Sequence, residues 1–341
     1  MSDVKRYEAI DGLRAFSAVG IVSMHVMTNG GFILPDPVNR VVGSMGEFVY
    51  LFMAVSGFSM CCGYYDRMLS GNVSIVDFYK RRFSKTLPFF ALLCLIDFVI
   101  SPSLHSIFEV FANLTLCFGL LPNSTMSVVG VGWFLGLVFV FYLLFPFYCF
   151  LLANKKRAWI SFAIAMVYNY LCSAYFFNDA HVVAGYDYRT NILYCSVFFL
   201  LGGLIFLYRD HLSKNCKVPP LCVLVFGVIA YLAMSFSHVT TLSLLIICCA
   251  FLCAAVLYSH KKCLLNNRLV AAVSVISLEI YLSHMAVFRL IERVLGSKLF
   301  DRSVVSFLLI LFMVLIGAAV IARTYLWLQR SFLKKYALKD S

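Results

Sequence analysis

The sequence predicts an all-α, polytopic membrane protein, and two features carry that prediction. Of the 341 residues, 62% are hydrophobic and only 13% are charged, whereas a soluble domain carries about 25% charged residues. Apolar runs of about 20 residues, the length of a membrane-spanning helix, recur along the whole chain. We therefore expect a single integral-membrane domain over residues 1–341. Arg14 interrupts the first run and no small-residue cleavage site follows, so that run is expected to be a retained span.

The candidate spans cover, in order, residues 10–29, 44–62, 86–101, 133–153, 158–177, 191–208, 218–236, 240–258, 271–291 and 303–326. A further apolar run, 107–121, would cover about 22 Å as a helix, less than the roughly 30 Å hydrocarbon core. If it does not span, the loops on the N-terminal side hold 20 Lys and Arg and the opposite loops hold five. If it spans, the split becomes 11 against 14.

Because cytoplasmic loops concentrate Lys and Arg, the first arrangement is favoured. It gives about ten spans, both termini in the cytoplasm, and 107–121 as a re-entrant or surface-lying segment on the outer side. The loop 292–302 departs from the rule, since it keeps three basic residues outside.

The net charge of +12 does not indicate a nucleic-acid partner, because the basic residues lie in short loops between apolar runs, as orientation signals do. Thirteen cysteines do not indicate a disulfide framework, because most lie inside apolar runs. Neither a CxxC pair nor a Cys/His ligand spacing occurs, so we expect no metal.

The first span contains Asp11, Arg14 and His25. Eleven residues separate Arg14 from His25, and eleven steps of about 100° bring the two side chains onto one stripe, about 16 Å apart along the axis. An ionisable side chain inside a bilayer costs about 2.5–3.5 kcal/mol and normally faces a protein interior or a wet cavity. The stripe therefore predicts a functional path from near the cytoplasmic face into the outer half of the membrane.

Four cations, Lys80, Arg81, Arg82 and Lys85, stand just before the third span. Orientation and contact with anionic lipid explain such a cluster in part. Four cations within six residues exceed what orientation requires, and clustered Arg suits phosphate recognition. The residues alone leave both explanations open.

A second histidine inside a span, His284, follows Tyr281 by one turn on the same face, and Glu279 is displaced from it by about 140°. A neutral imidazole, with an ordinary pKa near 6.5, is the side chain best matched to accepting a proton at neutral pH. Weaker markers are Ser56, Trp133 and Tyr142. Small residues in spans often serve close packing, and Trp133 has the position of an interface anchor.

Taken in order, these segments resemble the membrane-bound acyltransferase family 3, multi-span enzymes that O-acetylate bacterial surface glycans. The motifs that carry the resemblance are Asp11-Gly12-Leu13-Arg14 with His25, Ser56-Gly57-Phe58, the series Arg81, Arg82, Lys85 and Pro88, Trp133–Leu135 with Tyr142–Pro146, PheLeuLeuGlyGly at 199–203 and IleTyrLeuSerHis at 280–284. Three positions depart from the family pattern. Val138 stands where many members have glutamate, Lys85 where arginine is common, and Tyr50 where relatives are often acidic or polar.

The resemblance implies acetyl-CoA as the donor, with Lys80, Arg81, Arg82 and Lys85 on its phosphates and Arg14 beside its arm. It implies His25 as the catalytic base or as an acyl-carrying nucleophile. It also implies that the acceptor is a hydroxyl of a cell-surface glycan, such as O-antigen, capsule or exopolysaccharide, lipid-linked at the membrane.

Trp133, Tyr142, Tyr281, His284, Glu279 and Ser56 are candidate substrate contacts. The resemblance also implies a bacterial inner membrane and no extracytoplasmic esterase-like domain. A transporter or flippase of a lipid-linked glycan, with Arg14, His25 and Glu279 on its path, stays an alternative. So does a non-enzymatic partner of a polysaccharide assembly complex. The oligomeric state is open, a homo-oligomer included.

Overall fold

The computed structural model describes residues 7–116, 119, 127–177, 180–182, 186–258, 263, 265–296 and 303–337. Over these residues the chain is helical and has no β-strand, which confirms the predicted class. The α-helices are α1 (Glu8–Asn29), α2 (Asp36–Ser44), α3 (Phe48–Met60), α4 (Asp66–Leu69), α5 (Ile75–Ile100), α6 (Leu104–Thr115), α7 (Trp133–Leu152), α8 (Lys155–Leu171), α9 (Ile192–Asn215), α10 (Pro220–Ser235), α11 (Thr241–Leu257), α12 (Arg268–Ser274), α13 (Ser277–Leu295) and α14 (Val304–Ala337).

Each predicted span coincides with helical structure. Seven helical stretches in the described residues are long and apolar enough to cross a membrane. The pair α12 and α13 makes an eighth if it counts as one span, and α10 and α11 are apolar but shorter. The chain is therefore a multi-pass membrane protein, while the count of ten and the cytoplasmic termini stay predictions. Residues 1–6 and 338–341 lie outside the described part.

Three of the long helices, α1, α5 and α13, begin at the same end of the bundle. Arg14 near the start of α1 and Arg82 near the start of α5 line one cavity with Ser277 at the start of α13. Further along, His25 of α1 meets His284 of α13, and Arg289 of α13 meets Asp97 of α5. The three helices thus run in parallel. We call the end at which they begin the basic end and the other the outer end, following the predicted orientation.

The centre of the bundle is the packing of α3 against α9. A Cβ added to Gly202 would overlap the backbone carbonyl oxygen of Ala54, so only glycine allows the two helices to approach so closely. The ring of Phe141 stacks on Phe199 with 4.1 Å between the centroids. The hydroxyl of Tyr148 donates to the Phe199 carbonyl at 2.5 Å. Close backbone approach and interhelical hydrogen bonds are the forces that associate helices in lipid. They explain why the glycines at 202–203 stand inside a span.

At the outer end, α6 is the structured part of the predicted segment 107–121. With 12 residues it is about 18 Å long and too short to cross a membrane, in agreement with the prediction. It exposes Leu104, Phe108 and Phe111 and buries Glu109 and Asn113. Such a one-sided apolar face suits a helix that lies at the membrane surface. Residues 117–118 and 120–121 of the segment lie outside the described part.

The buried side of α6 holds the backbone that leads into α7. The carboxylate of Glu109 accepts hydrogen bonds from the backbone N–H groups of Ser127 and Val128 and from the Ser127 hydroxyl. Asp97 accepts from the Val129 N–H at 2.9 Å. Burial raises the pKa of Glu109, but the hydrogen bonds from Ser127 and Val128 lower it more, so the pKa of this carboxyl lies below its usual range.

Candidate functional site

A break between two consecutive helices lines part of the candidate site. The candidate span over 271–291 is helical but broken, because α12 ends at Ser274, α13 begins at Ser277, and their axes meet at 70°. Irregular backbone at membrane depth is tolerated where it lines a cavity. Ser274, Val275 and Ser277 do line one, of about 330 Å³. That volume is at the lower end of the range for small-molecule pockets, about 300–1,000 Å³.

The cavity collects side chains from five parts of the chain, α1, α3, α5, α7 and the bent pair α12 and α13. Seven of the twelve predicted site residues line it, namely Arg14, Ser56, Arg82, Lys85, Tyr142, Glu279 and Tyr281. Sequence reasoning missed four other polar lining residues, Ser59, Thr86, Ser274 and Ser277. Ser59 follows Ser56 by nearly one turn of the same helix, and that spacing is the signal that could have identified it.

The cavity is electropositive. Among the described lining residues, three are cations (Arg14, Arg82 and Lys85) and Glu279 supplies the one carboxylate. Arg14 has a nearby partner in Asp11, with 3.4 Å between Nη1 and the carboxylate oxygen. Opposite charge and N–H donors at close quarters are what a phosphate or carboxylate requires. The lining therefore suits an anionic ligand.

Arg82 is the most constrained of the three cations. Its guanidinium carbon lies 4.7 Å from the ring centroid of Tyr64 and 5.5 Å from that of Tyr142. Contact with two aromatic faces stabilises and orients a guanidinium. Its buried Nε–H has no hydrogen-bond partner among the described residues. A buried donor without a partner costs about 1–3 kcal/mol. A ligand atom that accepted from it would remove this cost.

The predicted quartet of cations divides into two pairs. Arg82 and Lys85, three residues apart, lie on one face of α5 and line the cavity, whereas Lys80 and Arg81 lie outside its lining. Arg82 is half-buried, and the other three are exposed. One residue turns the side chain by about 100°. Arg81 and Arg82 therefore have similar sequence neighbours and opposite surroundings.

Aromatic rings close the cavity towards the outer end. Tyr281, Phe134 and Phe52 contact one another, with centroid distances of 5.6, 5.8 and 6.3 Å. The hydroxyl of Tyr281 donates to the backbone carbonyl of Val131 at 2.8 Å. We call these three residues the aromatic layer. The Tyr281 hydroxyl is thus engaged within the protein.

Beyond the aromatic layer, the two histidines form a pair. The ring centroids of His25 and His284 lie 5.2 Å apart. His25 is half-buried and His284 is fully buried. Nδ1 of His284 lies 2.6 Å from the Tyr281 carbonyl oxygen. Because a carbonyl only accepts, this nitrogen carries the proton and Nε2 keeps a lone pair. That Nε2 has no hydrogen-bond partner among the described residues.

The other predicted positions have distinct surroundings. Trp133 begins α7 and lies outside the cavity lining, although the next two residues line it. Val138, one of the positions that departs from the family pattern expected from the sequence, lines the cavity. In this chain the carboxylate comes from Glu279, which is 7% exposed and has one oxygen, Oε2, with no partner in the described part of the chain.

Gly12, inside the first motif, has a packing role. A Cβ at this position would overlap the backbone carbonyl of Leu265. The absence of a side chain lets the segment before α12 lie directly on α1. That contact fixes the bent pair α12 and α13 beside Arg14, and thereby the shape of the cavity.

No group of three or more His, Cys, Asp and Glu side chains within the described residues is arranged to hold a metal ion.

A family model described as an acyltransferase domain matches residues 7–323, nearly the whole chain. Neither a curated protein nor a solved structure matches the chain.

Proposed function

The chain belongs to the acyltransferase 3 family, and from this premise we propose that it transfers an acyl group from cytoplasmic acyl-CoA to a hydroxyl of a cell-surface glycan. Acetyl is the acyl group that the motifs favour. The membrane is then the inner membrane of a bacterium. The acceptor is a glycan such as O-antigen, capsule or exopolysaccharide, presented on a lipid at the outer end.

The observation that carries the proposal is the electropositive cavity at the basic end. A donor that carries phosphates and enters from the cytoplasm needs cations at that end, and Arg14, Arg82 and Lys85 provide them in one space. The unpartnered Nε–H of Arg82 supplies a donor for a phosphate oxygen. The residues present therefore fit acyl-CoA, whose thioester supplies an activated acyl carbonyl. Lys80 and Arg81, being exposed, would contact the donor only outside the cavity.

His25 is assigned the proton transfers. It takes the proton of the acceptor hydroxyl as that oxygen bonds to the acyl carbon. It then returns the proton to the departing sulfur as the carbon–sulfur bond breaks. Base catalysis of this kind contributes about 10²–10⁴-fold to rate. Arg14 binds the donor and does not polarise His25, because about 16 Å of helix separates them. An acyl-histidine intermediate is the other route that a nucleophilic imidazole allows.

His284 and Tyr281 are assigned positioning roles. The bond from His284 Nδ1 to the Tyr281 carbonyl fixes the orientation of the His284 ring against His25. The Tyr281 hydroxyl, held by Val131, fixes the side chain that separates the cavity from the histidine pair. Ser56, Tyr142 and Glu279 line the path of the donor arm. A transporter uses the same polar path but does not consume acyl-CoA.

The test is proton NMR of surface polysaccharide from cells with the intact gene, a deletion, His25→Ala, and His238→Ala as an exposed control, all variants at equal protein level. We expect O-acyl signals that disappear in the deletion and in His25→Ala and persist in His238→Ala. If the deletion keeps every O-acyl signal but lowers the amount of polymer, the acyltransferase proposal fails and the transporter takes its place.

A further inference from the structure

A second recess lies at the outer end between α5 and α13. Its volume is about 130 Å³. Its lining includes Leu93, Ile96, Asp97, Leu282, Arg289 and Arg293, which define what we call the outer cleft. None of its residues belongs to the cavity at the basic end. The cleft is therefore a separate feature of the bundle.

The cleft has an apolar part and a cationic part. Leu93 and Leu282 form buried wall, and Ile96, Ile100 and Leu290 are exposed at its sides, where the bundle faces lipid. Arg289 and Arg293 stand where α13 approaches its end. An apolar wall below a pair of cations matches an amphiphile with a hydrocarbon chain and an anionic head.

The two arginines bring like charges together. Four residues apart on one face of α13, their guanidinium groups repel each other. They also lie at the end of the molecule where the positive-inside rule disfavours basic residues. Arg293 is one of the three basic residues by which the loop 292–302 departs from that rule.

Both side chains are exposed, and their N–H donors are accessible to a ligand. The nearest carboxylate oxygen of Asp97 lies 3.8 Å from Nη1 of Arg289, beyond hydrogen-bond distance. The other carboxylate oxygen of Asp97 is occupied by the Val129 N–H. Neither arginine forms a hydrogen bond to a described residue. Two guanidinium groups with free N–H donors are suited to bidentate binding of phosphate.

The outer cleft also lies within reach of the histidine pair. Arg289 follows His284 by five residues, about 7.5 Å along α13. Met285 lines the cleft, and its sulfur accepts from the Asn29 amide at 3.9 Å. That amide also donates to the His25 carbonyl at 2.8 Å. The rim of the cleft therefore contacts the helix turn that carries His25.

We propose that the outer cleft binds the lipid phosphate to which the glycan acceptor is attached, with Arg289 and Arg293 on the phosphate and the apolar walls on the hydrocarbon chain. The proposal rests on the proposed function, because it assigns the acceptor side of the same reaction. A phosphate held at Arg289 places the first sugars over Met285, towards His25. The surplus of cations at the outer end then has a ligand.

The test measures binding of a radiolabelled long-chain polyprenyl phosphate to the full chain in phosphatidylcholine nanodiscs. The variants are Arg289→Gln, Arg293→Gln and the double variant. Arg40→Gln is the matched control, because Arg40 lies at the outer end and its side chain is 51% exposed, against 52% for Arg289. We expect saturable binding that weakens about threefold to fivefold for each cleft arginine, more in the double variant, and changes less than about twofold for Arg40→Gln.

Two controls separate the causes of failure. Phosphatidylglycerol is added as a competitor, and acyl-CoA binding is measured on the same samples. If phosphatidylglycerol displaces the probe as well as unlabelled polyprenyl phosphate does, the cleft is a general phospholipid site and the proposal is overturned. Equal binding of the probe to the double variant also overturns it. Absence of acyl-CoA binding contradicts the proposed function instead, and intact acyl-CoA binding in every cleft variant shows that the variants are folded.

Discussion

Neutralising Arg82 is the sharpest test of the cavity, because its neighbour Arg81 is a control from the same turn of the same helix. In Arg82→Gln the guanidinium between Tyr64 and Tyr142 is removed, and with it the buried Nε–H that has no partner among the described residues. In Arg81→Gln an exposed cation is removed. Both changes lower the net charge by one, so any difference between them reports on location.

The magnitude follows from the surroundings of each group. A hydrogen bond to a charged partner in a partly buried site contributes about 1.5–3 kcal/mol, and about 1.4 kcal/mol is a factor of ten in affinity. We therefore expect Arg82→Gln to weaken acyl-CoA binding about ten- to a hundredfold. An exposed charge contributes about 0–1 kcal/mol, so Arg81→Gln should weaken it about fivefold at most.

The assay is equilibrium binding of acetyl-CoA to the purified protein in nanodiscs, repeated at low and high salt. Exposed charges are screened by salt more than buried ones, so the Arg81 effect should vanish at high salt and most of the Arg82 effect should persist. Equal losses in the two variants would refute the assignment of the cavity as the phosphate site. No loss in either would refute phosphate binding by this cluster altogether.

Three further predictions concern the fold around the site. Gly12→Ala should lower the free energy of unfolding by about 1–3 kcal/mol through overpacking, and this loss should appear as a lower Tm in detergent. Gly63→Ala is the control and should not lower Tm, because a Cβ at position 63 meets nothing within 4 Å. Glu109→Gln should lower Tm at neutral pH. The folded pKa of Glu109 is depressed, so its carboxylate stabilises the fold at pH values above the unfolded pKa of about 4.3. This stabilisation is lost as the pH falls through the folded pKa. The difference in Tm between the unmodified protein and Glu109→Gln should therefore disappear in acid. A difference in Tm that is unchanged in acid would contradict the role of the ionised Glu109 carboxylate. Tyr281→Phe should lose about 0.5–1.5 kcal/mol from its bond to Val131 with acetyl-CoA affinity unchanged, and a large loss of affinity would instead make the hydroxyl a substrate contact.

The helices were predictable because membrane spans are specified by length and apolarity alone. Every predicted span coincides with helix, and the described part of the segment 107–121 belongs to a 12-residue helix, which is short for a span, as the count of basic residues led us to expect. The 70° bend at Ser274–Ser277 was not predicted, since no proline or glycine interrupts that run. The segment before α12 packs on α1 where Leu265 approaches Gly12, and a contact between such distant segments leaves no local signal.

For the site, residue types were easier to predict than their surroundings. A charged residue in a span must face something polar, and this reasoning identified Arg14, Glu279 and the histidines. It did not distinguish Arg82 from Arg81, because a helix rotates adjacent residues by about 100° and their orientation relative to the bundle depends on packing. The only sequence signal of the outer cleft was Arg293, one of the three basic residues by which the loop 292–302 departs from the predicted orientation.

The aromatic layer has a consequence for the energy supply of the cell. Polar recesses that enter a membrane protein from both faces would form a water-filled channel if they joined, and protons would leak through it down their electrochemical gradient. The rings of Phe52, Phe134 and Tyr281 separate the electropositive cavity from the histidine pair, and the bond from Tyr281 to Val131 keeps the separating side chain in place. For the proposed transfer to reach His25, the acyl arm of the donor would have to pass this layer, while the layer holds back water and ions.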